Sequence, residues 1–293
     1  MIVKFGICLN ELGVDTRMFP EDDTFGRLDF YVTKKINYCL SKCDELYLLG
    51  VRHIRLPNLL PPRYNQSDFK HLIADIKANN KYKLFRRFNI TYSFHLPYKL
   101  GVKEYRDRMR MRQYICDLNI LMSALGISNF TIVCHVKDDS VKMSNKFICT
   151  LCKIPTRYRK SIVIENDEYH CDLDTCVKLS KLSRCPVVLD NLHNKLFGNY
   201  ELSNDVLDSI SKSWDYSDRL MKIHYSSYSG LSNNGHGSFI VEDEISDLLE
   251  RFKQHTNSIV IMLEIKNSLN AIEELRYKTY DKWYWFDGLC LEI

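Results

Sequence analysis

Short apolar runs alternate along the chain with longer amphipathic segments. Eight runs rich in β-branched and aromatic residues have the length of β-strands: residues 3–9, 53–56, 90–94, 130–134, 161–165, 187–190, 220–224 and 259–264. Between several of these runs, apolar residues recur at helical spacing, at residues 67–80, 106–126 and 242–255. This alternation predicts one α/β domain over residues 1–293, a (β/α)₈ TIM barrel with a functional site at its C-terminal mouth. An open, doubly wound sheet is the alternative.

Signals at the ends of the helical segments support the same division. Ser67 is the expected N-cap of one helix, and Gly126 is the expected end of the next. Residues 10–50 form an unusually long first connection, but residues 29–50 carry a helical pattern of their own.

Composition narrows the class of protein further. With 293 residues, of which 45% are hydrophobic, the chain can bury a large core, and no stretch reaches the roughly 18 apolar residues of a membrane span. The opening MIVKFGICLN turns polar too soon for a signal peptide, which predicts an intracellular protein, cytoplasmic or nuclear and not secreted. The eleven scattered cysteines are then expected to be free thiols. A net charge of +4 permits nucleic acid as a partner without requiring it.

Residues that can bind metal ions stand at the C-terminal ends of the later predicted strands, or in the loops that follow. They are His95, His135, Glu165, Asp190, His193, His224, His236 and Glu264. In a barrel these strand ends surround one mouth, and carboxylates crowded there repel one another unless a cation compensates. The pattern therefore predicts a centre of two or more divalent metal ions with mixed imidazole and carboxylate ligands. The other four histidines, His53, His71, His170 and His255, are interpreted as structural.

The order of these residues resembles the UV damage endonucleases, TIM-barrel DNA-repair enzymes related to endonuclease IV. The local matches are SFHLP at 93–97, IVCHV at 132–136, VIENDE at 163–168, VLDNLH at 188–193, KIHYSS at 222–227 and MLEIKN at 262–267. The opening FGICLN, which ends at Asn10, is similar to the first strand of that family. The resemblance spans nearly the whole chain.

The resemblance implies a metal-dependent hydrolase, a phosphodiesterase that acts as a monomer on damaged double-stranded DNA. It would cut immediately 5′ to a UV photoproduct or another lesion and leave a 3′-hydroxyl and a 5′-phosphate. Two to three divalent ions are implied, with manganese first and magnesium, zinc or cobalt as alternatives. Glu165, Asp190 and Glu264 would be bridging or terminal ligands at the catalytic centre, and the histidines would complete the coordination.

Three departures from the family pattern bear on substrate recognition. Asn65 stands where the family has a loop histidine, and asparagine is a weaker metal ligand. Tyr98 and Lys99 replace a Gln-Tyr pair that enters the duplex at the lesion, although tyrosine can stack on a base and lysine can reach a phosphate. Ser238 and Phe239 replace an Asp-Tyr pair after the loop histidine.

Two lysines near the predicted mouth, Lys222 and Lys266, are expected to have different roles. Lys222 shares strand parity with His224, so it should face the barrel interior as a catalytic candidate: neutral, paired with Glu264, or carbamylated into a ligand. Lys266, just beyond strand eight, is expected to contact phosphate or solvent. The full set of DNA-binding candidates is Asn10, Asn65, Tyr98, Lys99, Lys103 and Lys266.

Two other functions fit a barrel with these residues. A sugar isomerase of the xylose-isomerase type also uses glutamate, aspartate and histidine ligands, but with fewer histidines and a less basic mouth. A DNA-binding barrel that has lost turnover would fit the departures at Asn65, Tyr98 and Lys99. Measurements of metal content and of nicking activity would distinguish the endonuclease, the sugar isomerase and the DNA-binding barrel.

Overall fold

The computed structural model describes residues 1–9, 28–79, 85, 90–97, 104–136, 141–198, 202–230, 235–286 and 289–293, with only the backbone at 141–144. Eight parallel strands close into a barrel in the order β1 to β8, because β1 pairs with both β8 and β2. The strands are β1 (Ile2–Cys8), β2 (His53–Arg55), β3 (Thr91–His95), β4 (Phe130–His135), β5 (Ile162–Glu165), β6 (Val187–Asp190), β7 (Met221–Tyr225) and β8 (Ser258–Leu263). The predicted (β/α)₈ barrel is confirmed.

Helices surround the barrel and cover its apolar outer face. They are α1 (Leu28–Leu48), α2 (Gln66–Ala78), α3 (Tyr105–Leu125), α4 (Val141–Cys152), α5 (Thr156–Arg159), α6 (Leu173–Ser183), α7 (Asn191–Leu196), α8 (Asn204–Ser213), α9 (Glu242–Lys253) and α10 (Ser268–Thr279). Outward strand residues such as Ile132, Leu189 and Ile261 are fully buried against this layer, and their burial is the main source of stability. No helix in the described ranges has the length and apolar character needed to span a membrane.

Local signals explain where α2 and α3 begin and end. Gly126 closes α3 in the left-handed conformation with φ 78°, as its sequence position predicts, because glycine adopts this conformation at little cost. The predicted cap Ser67 is wrong. Helix α2 begins two residues earlier, and the side chain of Asn65 accepts a hydrogen bond of 2.8 Å from the Ser67 backbone N–H.

The chain also forms a hairpin that the strand pattern did not predict. Strands β9 (Tyr284–Phe286) and β10 (Cys290–Glu292) pair antiparallel. The other edge of β10 pairs antiparallel with the first residues of β1. At the other end of β1, Ile7 and Cys8 pair with β2. On this edge, β1 therefore pairs with the hairpin along its first residues and with barrel strand β2 at its C-terminal end.

Strand register brings the polar strand ends to one level. His135 lies beside Glu165 across β4 and β5, and Asp190 lies beside His224 across β6 and β7. Because successive residues of a strand face opposite sides, each of these side chains points into the barrel while its neighbour points out to the helices. The mouth of the barrel is thus lined by ionisable groups. All eleven cysteines are free thiols, as predicted.

Candidate metal centre

Glu165 is the central residue of the mouth. Its carboxylate is fully buried and faces imidazoles from three strands. Oε1 contacts Nδ1 of His224, while Oε2 lies 2.9 Å from Nε2 of His135 and 3.5 Å from Nε2 of His95. A buried carboxylate with three histidine neighbours is a typical metal-binding arrangement.

Two overlapping groups of side chains around Glu165 are close enough to hold metal ions. The first consists of His95, Glu165, His224 and Glu264, and the second of Glu165, Asp190 and His193. Within each group the ligand atoms all lie within 4.8 Å of one another. Seven of the eight residues predicted as ligands therefore meet here, since His135 also contacts Glu165 directly.

Hydrogen bonds orient the second group. The Asp190 carboxylate accepts a 2.8 Å bond from the backbone N–H of His193, because Asp190 is also the N-cap of α7. Nδ1 of His193 lies 3.1 Å from the carbonyl oxygen of Asn166, which orients Nε2 towards Glu168, 3.4 Å away. A histidine held by a carbonyl at one nitrogen presents the other to a metal.

Buried ligand atoms without partners show that these residues fit a metal ion. Among the described residues, His95 Nε2, Asp190 Oδ2 and His224 Nε2 are buried and make no hydrogen bond. Leaving such groups unsatisfied costs roughly 1–3 kcal/mol each, and more when the group is charged. A cation coordinated by these atoms would remove that cost, so the donor set fits divalent metal ions.

Electrostatic interactions among the ligands are strong. Burial alone would raise the pKa of Glu165, but His224, His135 and His95 hold it well below its usual range. Burial would lower the pKa of His224, whereas Glu165 and Glu264 raise it to about 9. Burial would likewise lower the pKa of His193, which Asp190 and other acids raise to about 9.

Asp190 behaves differently from the other carboxylates. Burial raises its pKa, and Glu264 and Glu165 raise it further, although His193 opposes them. A carboxylate that resists ionisation among like charges is stabilised in its charged form by a nearby cation. This electrostatic demand again fits a metal-binding role.

Three residues at the centre were missed in the sequence. Arg55, at the end of β2, forms a buried ion pair with Glu264 through Nη1. Asn166 and Glu168 follow Glu165 and contact the second group. The match VIENDE contained Asn166 and Glu168, but their roles depend on contacts with β6 and α7 that sequence order does not give. Arg55 is the third residue of the short run 53–56 and carries no signal of its own.

His236 lies outside both ligand groups. Its Nδ1 is 2.5 Å from the carbonyl oxygen of Glu264 and 2.8 Å from the hydroxyl of Ser226. These contacts attach its loop to the ends of β7 and β8 beside the centre. Its assignment as a ligand stays a prediction.

The remaining predicted residues are placed apart from the ligand groups. Lys222 is buried, and its Nζ donates a 2.6 Å hydrogen bond to the Thr131 hydroxyl, whereas Glu264 is paired with Arg55. Asn65 is exposed and serves as a helix cap, and Lys266 is exposed just after Glu264. Four other candidates, Asn10, Tyr98, Lys99 and Lys103, lie outside the described residues.

Known proteins share both the sequence pattern and the fold of this chain. The family model described as UV-endonuclease UvdE matches residues 106–283. The UV DNA damage endonuclease of Clostridium perfringens (strain 13 / Type A) is 28% identical over 159 residues, which cover 51% of this chain and 38% of that protein. The UV DNA damage endonuclease of Bacillus cereus (strain B4264) is 24% identical over 160 residues, 53% of this chain and 50% of that protein.

The crystal structure of SacUVDE has the same fold. It superposes with a TM-score of 0.72 at 22% identity and covers 96% of this chain and 99% of its own. The matches to the two endonucleases named above, in contrast, cover 38% and 50% of the length of those proteins. Because the family model covers more than half of the chain, this protein belongs to the UV-endonuclease UvdE family.

Proposed function

We propose that this protein is a metal-dependent DNA-repair endonuclease that nicks damaged double-stranded DNA 5′ to a lesion, leaving a 3′-hydroxyl and a 5′-phosphate. The observation that carries the proposal is the pair of ligand groups that share Glu165. Membership of the UV-endonuclease UvdE family supports DNA as the substrate. UV photoproducts are the first lesions to test, followed by abasic sites.

The ligand groups suit hydrolysis of a phosphodiester. Two to three divalent ions, with manganese as our first expectation, would neutralise the scissile phosphate, lower the pKa of an attacking water and stabilise the departing 3′-oxygen. Glu165 would hold adjacent ions because it belongs to both groups, and Asp190 and Glu264 would complete one group each. His95, His135, His193 and His224 would act as neutral ligands.

Other residues would bind and orient the DNA. We propose that Lys266, which is exposed two residues after Glu264, contacts a backbone phosphate. We propose Tyr98, Lys99 and Lys103 as further DNA contacts. Asn65 has a structural role as a helix cap, so a role in DNA binding would have to use its amide N–H groups.

The test is cleavage of a labelled duplex that carries one UV photoproduct or one abasic site, in manganese and in EDTA. The double variant Asp190→Ala, Glu264→Ala removes one carboxylate from each group, and Asp205→Ala, Glu273→Ala removes two exposed acids from the outer helices as a matched control. We expect metal-dependent nicking 5′ to the lesion that is lost only in the first variant.

Other results would point to the alternative functions. Tight binding of the lesion duplex without nicking, in protein shown to contain metal, would indicate a DNA-binding barrel. Epimerisation or isomerisation of a sugar by that protein would indicate the second alternative. The fold is compatible with that chemistry, since a D-tagatose 3-epimerase-like protein superposes with a TM-score of 0.57 at 13% identity.

A further inference from the structure

The loop after β7 contains a short antiparallel pairing beside the metal centre. The structure describes its two arms, residues 226–230 and 235–239, which we call the β7 loop. Tyr228 and His236 pair across the arms as an isolated antiparallel bridge. A backbone hydrogen bond on either side of the bridge, of 2.9 Å and 2.7 Å, also joins the arms. These bonds fix the register of one arm against the other.

The two arms are also packed closely against each other. A Cβ atom at Gly237 would overlap the side chain of Ser227, so only glycine allows this approach. The Ser227 hydroxyl in turn donates a 2.6 Å hydrogen bond to the carbonyl oxygen of Phe239. The described part of the loop is therefore a packed element in which side chains have defined directions.

Hydrogen bonds attach the β7 loop to the ends of two strands that carry metal-ligand candidates. The side chain of Asn191, which follows Asp190, accepts a 2.7 Å bond from the Ser226 N–H and donates a 3.1 Å bond to the Ser226 carbonyl. On the other arm, the Lys266 N–H donates a 2.9 Å bond to the carbonyl of Gly237. The loop is thus held at the ends of both β6 and β8.

The bridge determines the direction of the Tyr228 side chain. Residues that pair across an antiparallel bridge point to the same face, with Cβ atoms roughly 5 Å apart. The partner, His236, points to the end of β8, where its Nδ1 lies 2.5 Å from the carbonyl oxygen of Glu264. Tyr228 therefore lies on the face of the β7 loop that meets the metal centre. It is 48% exposed, although Ser226 and Ser227 before it are buried.

We propose that the ring of Tyr228 stacks on a base that a lesion has left unpaired, so that Tyr228 determines specificity for damaged DNA. This inference rests on the proposed endonuclease function. Every nucleobase presents a flat face on which an aromatic ring can stack, and a base at a lesion leaves the duplex at lower cost than a paired base. Stacking on Tyr228 would therefore favour damaged over intact duplex.

The position and the attachment of the loop both suit this role. Successive nucleotides of a strand are only about 3.4 Å apart along the helix axis, so a phosphate at the metal centre would bring neighbouring nucleotides close to a ring beside Glu264. A ring that is already held in place loses little conformational entropy when a base stacks on it.

Fluorescence anisotropy of DNA binding tests the proposal with manganese-loaded protein. One labelled duplex contains an abasic site, which leaves the opposite base unpaired, and the other is undamaged. In both, a methylene group replaces the 3′-oxygen at the expected cleavage position, because the resulting phosphorus–carbon bond is not hydrolysed. The unmodified protein is compared with Tyr228→Leu, Tyr228→Phe and Tyr277→Leu. Tyr277 is the matched control, since it is 81% exposed on the outer helix α10.

We expect Tyr228→Leu to weaken binding of the abasic duplex by about 5- to 100-fold and to leave binding of the undamaged duplex nearly unchanged. Tyr228→Phe retains the ring and should bind both duplexes as the unmodified protein does, and so should Tyr277→Leu. Equilibrium dialysis should find the same manganese content in all four proteins.

Three results would overturn the proposal. Unchanged binding of the abasic duplex by Tyr228→Leu would show that the ring does not contact the lesion. Equal losses in Tyr228→Leu and Tyr228→Phe would show that the hydroxyl group, not the ring, makes the contact. Loss of manganese from Tyr228→Leu, or equal weakening for both duplexes, would show that the residue has only a structural or a general binding role.

Nicking of the ordinary abasic duplex by the unmodified protein is measured separately. Absence of nicking would contradict the endonuclease function, while the affinities of the variants would still decide the role of Tyr228. Nicking together with equal affinities of Tyr228→Leu and the unmodified protein would contradict only the stacking role. A protein that binds neither duplex would contradict both.

Discussion

The side chain of Asn166 makes two hydrogen bonds to the backbone of Asp190. Its Oδ1 accepts a 2.8 Å bond from the Asp190 N–H, and its Nδ2 donates a 3.1 Å bond to the Asp190 carbonyl oxygen. The carbonyl of Asn166 is also 3.1 Å from Nδ1 of His193. One residue outside both ligand groups therefore fixes two members of the second group.

Replacing Asn166 should weaken metal binding without removing a ligand. We expect Asn166→Ala to lower the affinity for manganese by about 10- to 100-fold, because residues that orient ligands commonly contribute this much. Isothermal titration calorimetry measures the change. Asn119→Ala, which removes a buried amide that bonds the Ile115 carbonyl, is the control and should lower stability without changing manganese affinity. Equal affinities in the two variants would refute the orienting role of Asn166.

The Arg55–Glu264 ion pair should stabilise the metal-free protein. Arg55→Gln leaves Glu264 buried beside Glu165, so we expect the free energy of unfolding without metal to fall by about 3 kcal/mol. Manganese should then restore more stability to the variant than it adds to the unmodified protein, because it replaces the lost cation. Chemical denaturation with and without manganese measures both effects.

The exposed pair of Lys212 and Asp208 provides the comparison for that experiment. Lys212→Gln breaks an ion pair on the surface of α8, and such exposed pairs contribute little to stability because water and salt screen them. A loss of stability in Arg55→Gln no greater than in Lys212→Gln would show that Arg55 is not needed to balance Glu264.

Ligand sharing predicts how many ions each variant loses. Glu264→Gln and Asp190→Asn each alter one group, so each should abolish one manganese site of the two that the groups define. Glu165→Gln alters both groups and should abolish both sites. Metal analysis after equilibrium dialysis gives the stoichiometry. A full complement of ions in Glu165→Gln would contradict the two-group arrangement.

Metal affinity should rise with pH above neutrality. In the metal-free protein the pKa values of His193 and His224 are raised from 6.5 to about 9, so both rings are protonated at pH 7 and each must lose a proton to bind metal. We expect the affinity of each site to increase by about tenfold per pH unit between pH 7 and 8.5. Calorimetry at several pH values tests this slope, and His71→Gln, a change in α2, should leave it unchanged.

The same shifts determine how the stability of the metal-free protein depends on pH. Because the folded state raises both pKa values, the stabilisation is complete below pH 6.5 and is lost as pH rises through about 9. Metal-free protein should therefore become less stable towards pH 9 while its metal affinity increases. Denaturation at pH 6.5 and pH 9 in EDTA measures the loss. A gain in stability over this interval would contradict the assigned interactions.

The sequence predicted the barrel and most of the centre because both depend on local pattern. An apolar run that ends in a histidine or a carboxylate marks the end of a barrel strand, and closure of the barrel brings these ends together. His95, His135, Glu165, Asp190 and His224 were all found in this way.

What the sequence did not predict depends on contacts between distant segments. Strand β2 has only three residues, so its last residue, Arg55, could not be recognised as the partner of Glu264. The alternation of side chains along β7 correctly predicted that Lys222 points into the barrel. The hydrogen-bond partner of its amine, the Thr131 hydroxyl, lies on β4 and could not be predicted from the sequence. The hairpin of β9 and β10 was missed because its strands are three residues long.

The position of Glu165 in both ligand groups has a thermodynamic consequence. Two ions held by these groups would not bind independently, because the first would draw on a carboxylate that the second also needs. Linkage would then require that each ion change the affinity for the other by the same factor, whichever binds first. The two groups would form one coupled unit, and the number of ions bound would depend on the free metal concentration in a way that neither group alone would show.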